Sequence, residues 1–390
     1  MKKKVCVITG TRAEYGLLKP LIDKIDKDSE LELQLIVTGM HLSPEFGFTY
    51  NEIQTDGYKI DEKIEILLSS DTNVGISKSM GLAMISFAEC YERLKPDMIV
   101  VLGDRYEIFC AASCAMISRI PISHLHGGEV TEGVVDEAIR HSISKMSYIH
   151  FTSTQEYRNR VIQLGECPDR VFNVGAIGIE NIKNMNLLSK EDLQKSIGFK
   201  FGEKTILVTF HPVTLEKFSS RKQFQNLLDA IDEMKNLKVI FTKANSDTNG
   251  RIINKIIDEY VNKNKEKAIA FISLGQLRYL SAMKYVDAVV GNSSSGIIEA
   301  PSFKVPTVNI GDRQKGRIQA KSVINCKPSK KDILNSFEKA FSREFKNEIK
   351  FTKNPYGDGK VSNKIMKEIK RYLFDDLINI KKPFYDIKVR

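Results

Sequence analysis

Two tandem, doubly wound α/β domains with parallel sheets are what this 390-residue sequence predicts, and three observations predict them. The chain exceeds the length at which one hydrophobic core stops growing, so two domains are expected. Short apolar, β-branched runs alternate with helix-length amphipathic stretches, as in strands covered by helices on both faces. That alternation breaks at 175–203, a stretch rich in Asn, Lys and Gly, and then begins again. A ligand of such a pair is expected in the interdomain cleft, facing the carboxyl ends of both sheets.

In the first half, strands are predicted at VCVITG (5–10), LQLIVTG (33–39), DMIVVLG (97–103), ISHLH (122–126) and YIHFTST (148–154), with helices between, as over 75–94 and 106–118. The second series is ILVTFHP (206–212), KVIFTKA (238–244), AIAFISL (268–274), AVVGNSS (288–294) and PTVNIG (306–311). After NPYGDGK (354–360) the pattern is that of one helix, 361–379, with a polar end. The domains are therefore drawn at 1–174 and 175–360, with a helix and tail over 361–390.

Composition narrows the functional classes. Apolar residues at 42% and charged residues at 28% describe an ordinary globular protein. No window approaches eighteen uninterrupted apolar residues, and MKKKVCVITGT lacks the core and cleavage site of a signal peptide, so the expected location is the cytoplasm. The six cysteines contain no C-x-x-C pair and sit mostly in apolar runs, which argues against a disulfide framework or structural zinc. The net charge of +10 comes from lysines spread along the chain without interleaved aromatics. It describes a solvated basic surface, compatible with a polyanionic small substrate, and not a nucleic-acid site.

Strand ends carry the candidate chemistry. GTRAEYGLL (10–18) lacks the G-x-G-x-x-G fingerprint but places Arg12 at a helix start, either as a phosphate anchor or as a loop arginine paired with Glu14. DMIVVLG ends in Asp104-Arg105, which fits proton and phosphate chemistry or a local ion pair ordering the turn. GNSSSGIIEAP (291–301) is sharper. It offers three hydroxyls and unpaired N–H groups before a helix, suited to a diphosphate, with Glu299 placed for a ribose. Simple N-capping explains one serine and leaves two unexplained. His211 in TFHPVT ends a strand in the expected crevice, and Arg313 in NIGDRQKGR follows the next strand. The segment HLHGGEVTEGVVDEAIRH (124–141) holds half of the chain's six histidines. His124 and His126 at i, i+2 would share a strand face, as zinc ligands do, but no third ligand is evident at suitable spacing.

Together these motifs resemble the UDP-N-acetylglucosamine 2-epimerase family, in its hydrolysing branch. GTRAEYGLL, TGMHLSPEFG, VVLGDRYE, HLHGGEVTEG with DEAIRHSISK, HPVT, GNSSSGIIEAP and NIGDRQKGR occur in family order from residue 10 to 317. The non-hydrolysing branch is less similar, with H-x-E-A-G-L-R-T and TGQH at the corresponding places. The resemblance implies two Rossmann-like domains with an interdomain cleft, the arrangement of type-B glycosyltransferases, and a C-terminal helix returning to the first domain.

It also implies a reaction. UDP leaves C1 and a proton leaves C2, giving a 2-acetamidoglucal. Water then adds with inverted stereochemistry at C2, releasing UDP and N-acetylmannosamine, without cofactor or metal. By motif, Arg12, Arg105, His211, Asn245, Ser293, Ser294, Glu299 and Arg313 stand where the family holds UDP, and His41 in TGMH approaches the sugar. Asp104 stands at a catalytic carboxylate and Asp136 near another, while Glu137 and His141 are assigned structural places. Some hydrolysing members carry H-x-E-G-G-E, whereas this chain has His126 at the first Glu and keeps Glu129. Its acid/base chemistry is therefore assigned to Glu129 and His126. The H-x-H-G-G-E form is similar to enzymes acting on UDP-N,N'-diacetylbacillosamine on the route to legionaminic acid. UDP-GlcNAc on a sialic-acid route thus leads, with the diacetamido sugar as the alternative. A glycosyltransferase on the same fold and a non-catalytic nucleotide-sugar sensor are the rival classes. A homo-oligomer, dimer or tetramer, is expected by resemblance, with neither nucleic acid nor membrane as partner.

Overall fold

The computed structural model describes residues 2–68, 70, 72–131, 135–213, 220–244, 250–357 and 359–387. One parallel sheet holds β1 (Lys3–Thr9), β2 (Leu31–Thr38), β3 (Glu62–Ile64), β4 (Met98–Leu102), β5 (Ile122–Leu125), β6 (Ile149–Thr152) and β7 (Val171–Asn173), in the order β3-β2-β1-β4-β5-β6-β7. The other holds β8 (Lys204–Thr209), β9 (Leu237–Thr242), β10 (Ala268–Phe271), β11 (Ala288–Gly291), β12 (Thr307–Ile310) and β13 (Val323–Cys326), in the order β10-β9-β8-β11-β12-β13. Counted from its own first strand, each sheet runs 3-2-1-4-5-6, and the first adds a seventh strand. The order reverses beside β1 and β4, and again beside β8 and β11, where doubly wound sheets open a crevice at their carboxyl ends.

The helices are α1 (Arg12–Lys27), α2 (Tyr50–Thr55), α3 (Asn73–Leu94), α4 (Tyr106–Ile117), α5 (Asp136–Met146), α6 (Gln155–Gln163), α7 (Ile177–Asn184) and α8 (Lys190–Ile197). They continue with α9 (Ser220–Glu233), α10 (Gly250–Lys263), α11 (Gly275–Tyr285), α12 (Ser294–Ile298), α13 (Lys330–Phe341), α14 (Arg343–Ile349) and α15 (Val361–Phe374).

Two compact units result: Met1–Glu129 with Asp136–Lys183 and Tyr356–Arg390, and Val130–Val135 with Asn184–Pro355. Alternate residues of β1 serve opposite layers of the first unit. Val5 and Val7 join Leu18, Leu21, Ile365 and Ile369, whereas Cys6 and Ile8 join Phe87, Cys90 and Ile108. Burial on both faces is why such strands read as continuous apolar runs. In the second unit, Ile206 and Val208 face one core and Leu207 the other.

Three expectations need correction. The boundary drawn at 174/175 falls too early, because α7 belongs to the first unit. Glu180 accepts from Ser362 N and Oγ, each at 2.6 Å, and Asn181 donates to Gly16 O at 2.8 Å. The break at 175–203 is no bare linker, since it contains α7 and α8. The last helix stops at Phe374 and not at 379. Asp375 and Asp376 follow it, carboxylates that oppose the negative end of a helix dipole, and Asp376 turns to φ +53°.

Candidate functional site

In the first unit the site grows from the carboxyl ends of β1, β2, β4 and β5. Thr11 caps α1, and the Glu14 carboxylate folds back to accept from Gly10 N at 2.7 Å and Thr11 N at 3.2 Å. This capping box engages Glu14, so Arg12 pairs with Glu52 on α2. A Cβ on Gly10 would meet Glu107 Oε1 at 2.6 Å, so glycine is required for Glu107 to lie beneath the loop. Glu107 is fully buried and accepts from Arg105 Nε at 2.6 Å. Burial first, and then the Glu107 charge, push Glu14 up to about 8.

His41 is buried between Thr9 Oγ1 at 3.0 Å and Thr49 Oγ1 at 2.9 Å. Desolvation takes its pKa down to about 3, so it stays neutral. With both ring nitrogens engaged by threonine hydroxyls, it orders the TGMH turn.

The centre of the first unit is an arginine that motif reading passed over. Arg140 is 1% exposed on α5 and pairs with Asp104 Oδ2. It also donates to Glu129 O at 2.8 Å and to Glu137 Oε2 at 2.7 Å. Glu137 in turn meets His141 Nε2 at 3.1 Å. Asp104, with its side chain 26% exposed, retains a solvent-facing surface. Asp136, the first residue of α5, sits one helical turn before Arg140 and is half-buried. That i, i+4 spacing within DEAIRH is the signal that could have found Arg140.

His124, also buried, bonds Gly103 O through Nε2 at 2.8 Å and Ser144 Oγ through Nδ1 at 3.2 Å. A carbonyl takes only a proton, so Nε2 carries it and Nδ1 accepts from Ser144. His124 thereby ties the turn before Asp104 to α5, and desolvation lowers its pKa to about 3. His126 lies beyond the end of β5 with φ +66°, a left-handed conformation rare outside glycine. The alternation that would give His124 and His126 a shared strand face therefore fails. Among the described residues, no group of three or more His, Cys, Asp and Glu side chains is arranged to hold a metal. His126 Nδ1 meets Glu129 Oε1 at 2.9 Å, and its Nε2 accepts from Ile177 N at 3.4 Å. Glu129, buried, also accepts from Ser153 Oγ at 2.8 Å. His126 thus backs Glu129, and the ring does not point a free nitrogen outward.

In the second unit the corresponding ends carry amides and hydroxyls. Gly291, at φ +127°, presses against Thr209 O where a Cβ has no room. Asn292, 1% exposed, clamps the His211 backbone from both sides, accepting from His211 N at 2.7 Å and donating to His211 O at 2.8 Å. Its own carbonyl accepts from Arg313 Nη1 at 3.0 Å and Gln314 Nε2 at 2.8 Å. One residue of the GNSSSG motif therefore fixes two of the predicted nucleotide contacts, yet the serines drew attention in the sequence. Ser293 caps α12, accepting from Ser295 N at 3.4 Å, and Ser294 opens it. With only five residues, α12 has a weak dipole. Ser295 Oγ donates to Glu299 Oε2. Asn245 lies outside the described residues.

A pair of doubly wound sheets, one with titratable loops and one with a hydroxyl-lined loop beside His211 and Arg313, defines a class of two-domain α/β enzymes. The model of the UDP-N-acetylglucosamine 2-epimerase family matches residues 23–370, and the chain belongs to that family. It is 48% identical to the GDP/UDP-N,N'-diacetylbacillosamine 2-epimerase (hydrolyzing) of Campylobacter jejuni, over 99% of this chain and 100% of that one. It is 39% identical to polysialic acid biosynthesis protein P7 of Escherichia coli, over 99% and 98%. It is 36% identical to the UDP-N,N'-diacetylbacillosamine 2-epimerase (hydrolyzing) of Legionella pneumophila, over 95% and 96%. The fold matches the UDP-GlcNAc 2-epimerase of Methanocaldococcus jannaschii, solved with UDP-GlcNAc and UDP, at a TM-score of 0.77 and 19% identity, over 94% and 99%. Among the described residues no helix is long and apolar enough to cross a membrane.

Proposed function

We propose that this chain is a hydrolysing 2-epimerase that converts UDP-N,N'-diacetylbacillosamine and water into UDP and 2,4-diacetamido-2,4,6-trideoxymannose. The observation that carries this reading is the gathering of Asp104 and Glu129 around the buried Arg140. The reaction needs a base for the C2 proton while the C1–O bond to the diphosphate breaks, and a proton donor at C2 when water adds to C1. Neither step changes an oxidation state, so no hydride carrier enters. Asp104, partly exposed, is assigned as the base. Glu129, backed by His126, is assigned to return the proton, and Asp136 flanks them. Arg140 holds Asp104 and the Glu129 backbone in register and stays cationic, because these carboxylates outweigh its desolvation. His211, Asn245, Ser293, Ser294, Glu299 and Arg313 are assigned to UDP, with Arg12 and Arg105 for its phosphates.

The choice of sugar is supported by the names of the relatives at 48% and 36% identity and by His126 within H-x-H-G-G-E. The second reading, UDP-GlcNAc leading to N-acetylmannosamine, follows the family description. The test is a head-to-head turnover assay on UDP- and GDP-N,N'-diacetylbacillosamine and UDP-GlcNAc, with products identified by NMR. UDP-N,N'-diacetylbacillosamine is expected to lead UDP-GlcNAc in kcat/KM by about 100-fold or more, the scale on which pocket shape alone separates substrates differing in a small substituent. Equal or better turnover of UDP-GlcNAc replaces the substrate with the second reading. Turnover only with an added acceptor indicates a glycosyltransferase, and UDP binding without turnover indicates a sensor.

A homo-oligomer belongs to the same proposal. Exposed apolar side chains on the neighbouring helices α3 and α4, Leu82, Ile85, Met116 and Ile117, support it, and sedimentation equilibrium tests it.

A further inference from the structure

A groove of about 1000 Å³ runs along the outer edge of the first unit's sheet, lined by β7, the start of α6, α15 and the chain's final segment. None of the residues assigned above to catalysis or nucleotide lines it. Six basic side chains do: Arg158, Arg170, Lys364, Lys367, Arg371 and Lys381, against two carboxylates. Glu368 is committed to Arg371 at 2.6 Å, and Asp169 is exposed at the mouth. Arg158 donates to Val171 O at 2.8 Å and Pro168 O at 3.0 Å, and Lys364 reaches Val174 O at 3.2 Å. Lys367 and Lys381 have no acidic partner among the described residues.

Arg170 is the unusual member. It is only 7% exposed, yet among the described residues its guanidinium makes neither a hydrogen bond nor an ion pair. Its one interaction of note is the Tyr148 ring, 4.7 Å from its central carbon. A cation–π contact contributes about 1–2 kcal/mol and leaves the guanidinium N–H groups at the groove without an acceptor from the described residues. The surroundings offer none either. One buried carboxylate, Glu166, serves Lys145 at 2.7 Å, Lys382 at 2.9 Å and His150 at 3.1 Å. Burial alone would raise Glu166, but bonds from His150, Lys145 and Lys382 hold it down to about 2. Glu166 is therefore fully used, and the Arg170 charge adds to the positive field felt by Lys382 and His150.

We propose that this groove is a second ligand site, taking a small molecule whose phosphate or carboxylate oxyanion meets Arg170, Lys364 and Lys367. An oxyanion supplies the hydrogen-bond acceptors that the Arg170 fork lacks, and guanidinium matches its geometry. The volume lies within the range of small-molecule pockets, and the chain's own final segment walls one side.

The test is calorimetric titration of the full chain with pyrophosphate and, separately, citrate, each with and without saturating UDP. Pyrophosphate or citrate is expected to bind in the presence of UDP. The Lys364→Glu/Lys367→Glu variant, altered at exposed positions, is expected to lose that affinity by about tenfold or more while UDP affinity stays unchanged. Binding of pyrophosphate alone identifies a phosphate-bearing ligand, and binding of citrate alone a carboxylate-bearing one. Arg170→Gln is expected to remove the remaining affinity, with circular dichroism confirming its fold. Competition of both anions with UDP, or affinities that the double charge reversal leaves intact, overturns the proposal.

Discussion

At the carboxyl ends of β1, β4 and β5 the first unit gathers Glu14, Asp104, Glu107, Glu129 and Arg140, whereas the second sets Thr209, Asn292, Ser293 and Ser294 at the ends of β8 and β11. The strand order is shared, and the difference lies in what the loops carry. One set is titratable and interlocked by charge. The other is built mainly of hydroxyls and amides, with His211 and Arg313 held by hydrogen bonds to Asn292. A shared scaffold permits the division of labour proposed above, proton transfer on one sheet and nucleotide binding on the other, because loops change without touching the strands that position them.

Substitutions that separate chemistry from binding probe this contrast most severely. Asp104→Asn and Glu129→Gln are each expected to lower kcat by about 10²–10⁴-fold, the range of general acid–base groups, while UDP affinity by calorimetry stays within about twofold. A parallel loss of UDP affinity would show that the two regions are not separable. Arg140→Met is expected to disable turnover to a similar degree and also to lower stability by about 2 kcal/mol in urea melts. That lies between exposed and buried pairs, since Arg140 is buried and its carboxylate partners are partly solvated. A fully stable but inactive variant would limit Arg140 to the chemistry.

On the other side, Asn292→Ala is expected to raise the UDP dissociation constant about tenfold, with kcat changed far less, because it loosens His211 and Arg313 together. A fall in kcat at unchanged KM would place Asn292 with the proton-transfer residues. The effect furthest from turnover is in stability against pH. The folded-state pKa of His124, about 3, lies below its ordinary value of 6.5, so its contribution is present above pH 6.5 and is lost as pH falls toward 3. The slope is about 1.4 kcal/mol per pH unit within that window. Glu14, raised from 4.5 to about 8, acts oppositely, its contribution being lost as pH rises through that interval. His124→Asn is expected to flatten urea-melt stability between pH 6.5 and 4.5 by that slope, and an unchanged slope contradicts a neutral buried His124.

The central strands were legible because burial on both faces leaves an unbroken apolar run, as in MIVVL of β4. The strands missed were β3 (EKI), β7 (VFN) and β13 (VINC), each an edge strand of three or four residues. Short edge strands need less burial and carry little pattern; the edge strand β10 was found because its run AIAF is unbroken apolar. The site divides similarly. Motifs at strand ends pointed to Asp104 and His211, and the resemblance to Glu129, but neither told what Arg140 and Asn292 hold, since their bonds to Asp104 and His211 join segments distant in sequence. His41 was placed near the sugar, and His126 in acid/base chemistry, by resemblance of their motifs to the family. Which atoms occupy their ring nitrogens is decided by tertiary contacts with Thr9, Thr49, Glu129 and Ile177.

The central claim is proton removal and return at C2 with loss of the nucleotide, and turnover in D₂O tests it most directly. With UDP-N,N'-diacetylbacillosamine as substrate, the product is expected to be the free manno-configured sugar carrying one deuterium at C2, released together with UDP. A product that keeps its C2 proton, or one still attached to UDP, contradicts the account.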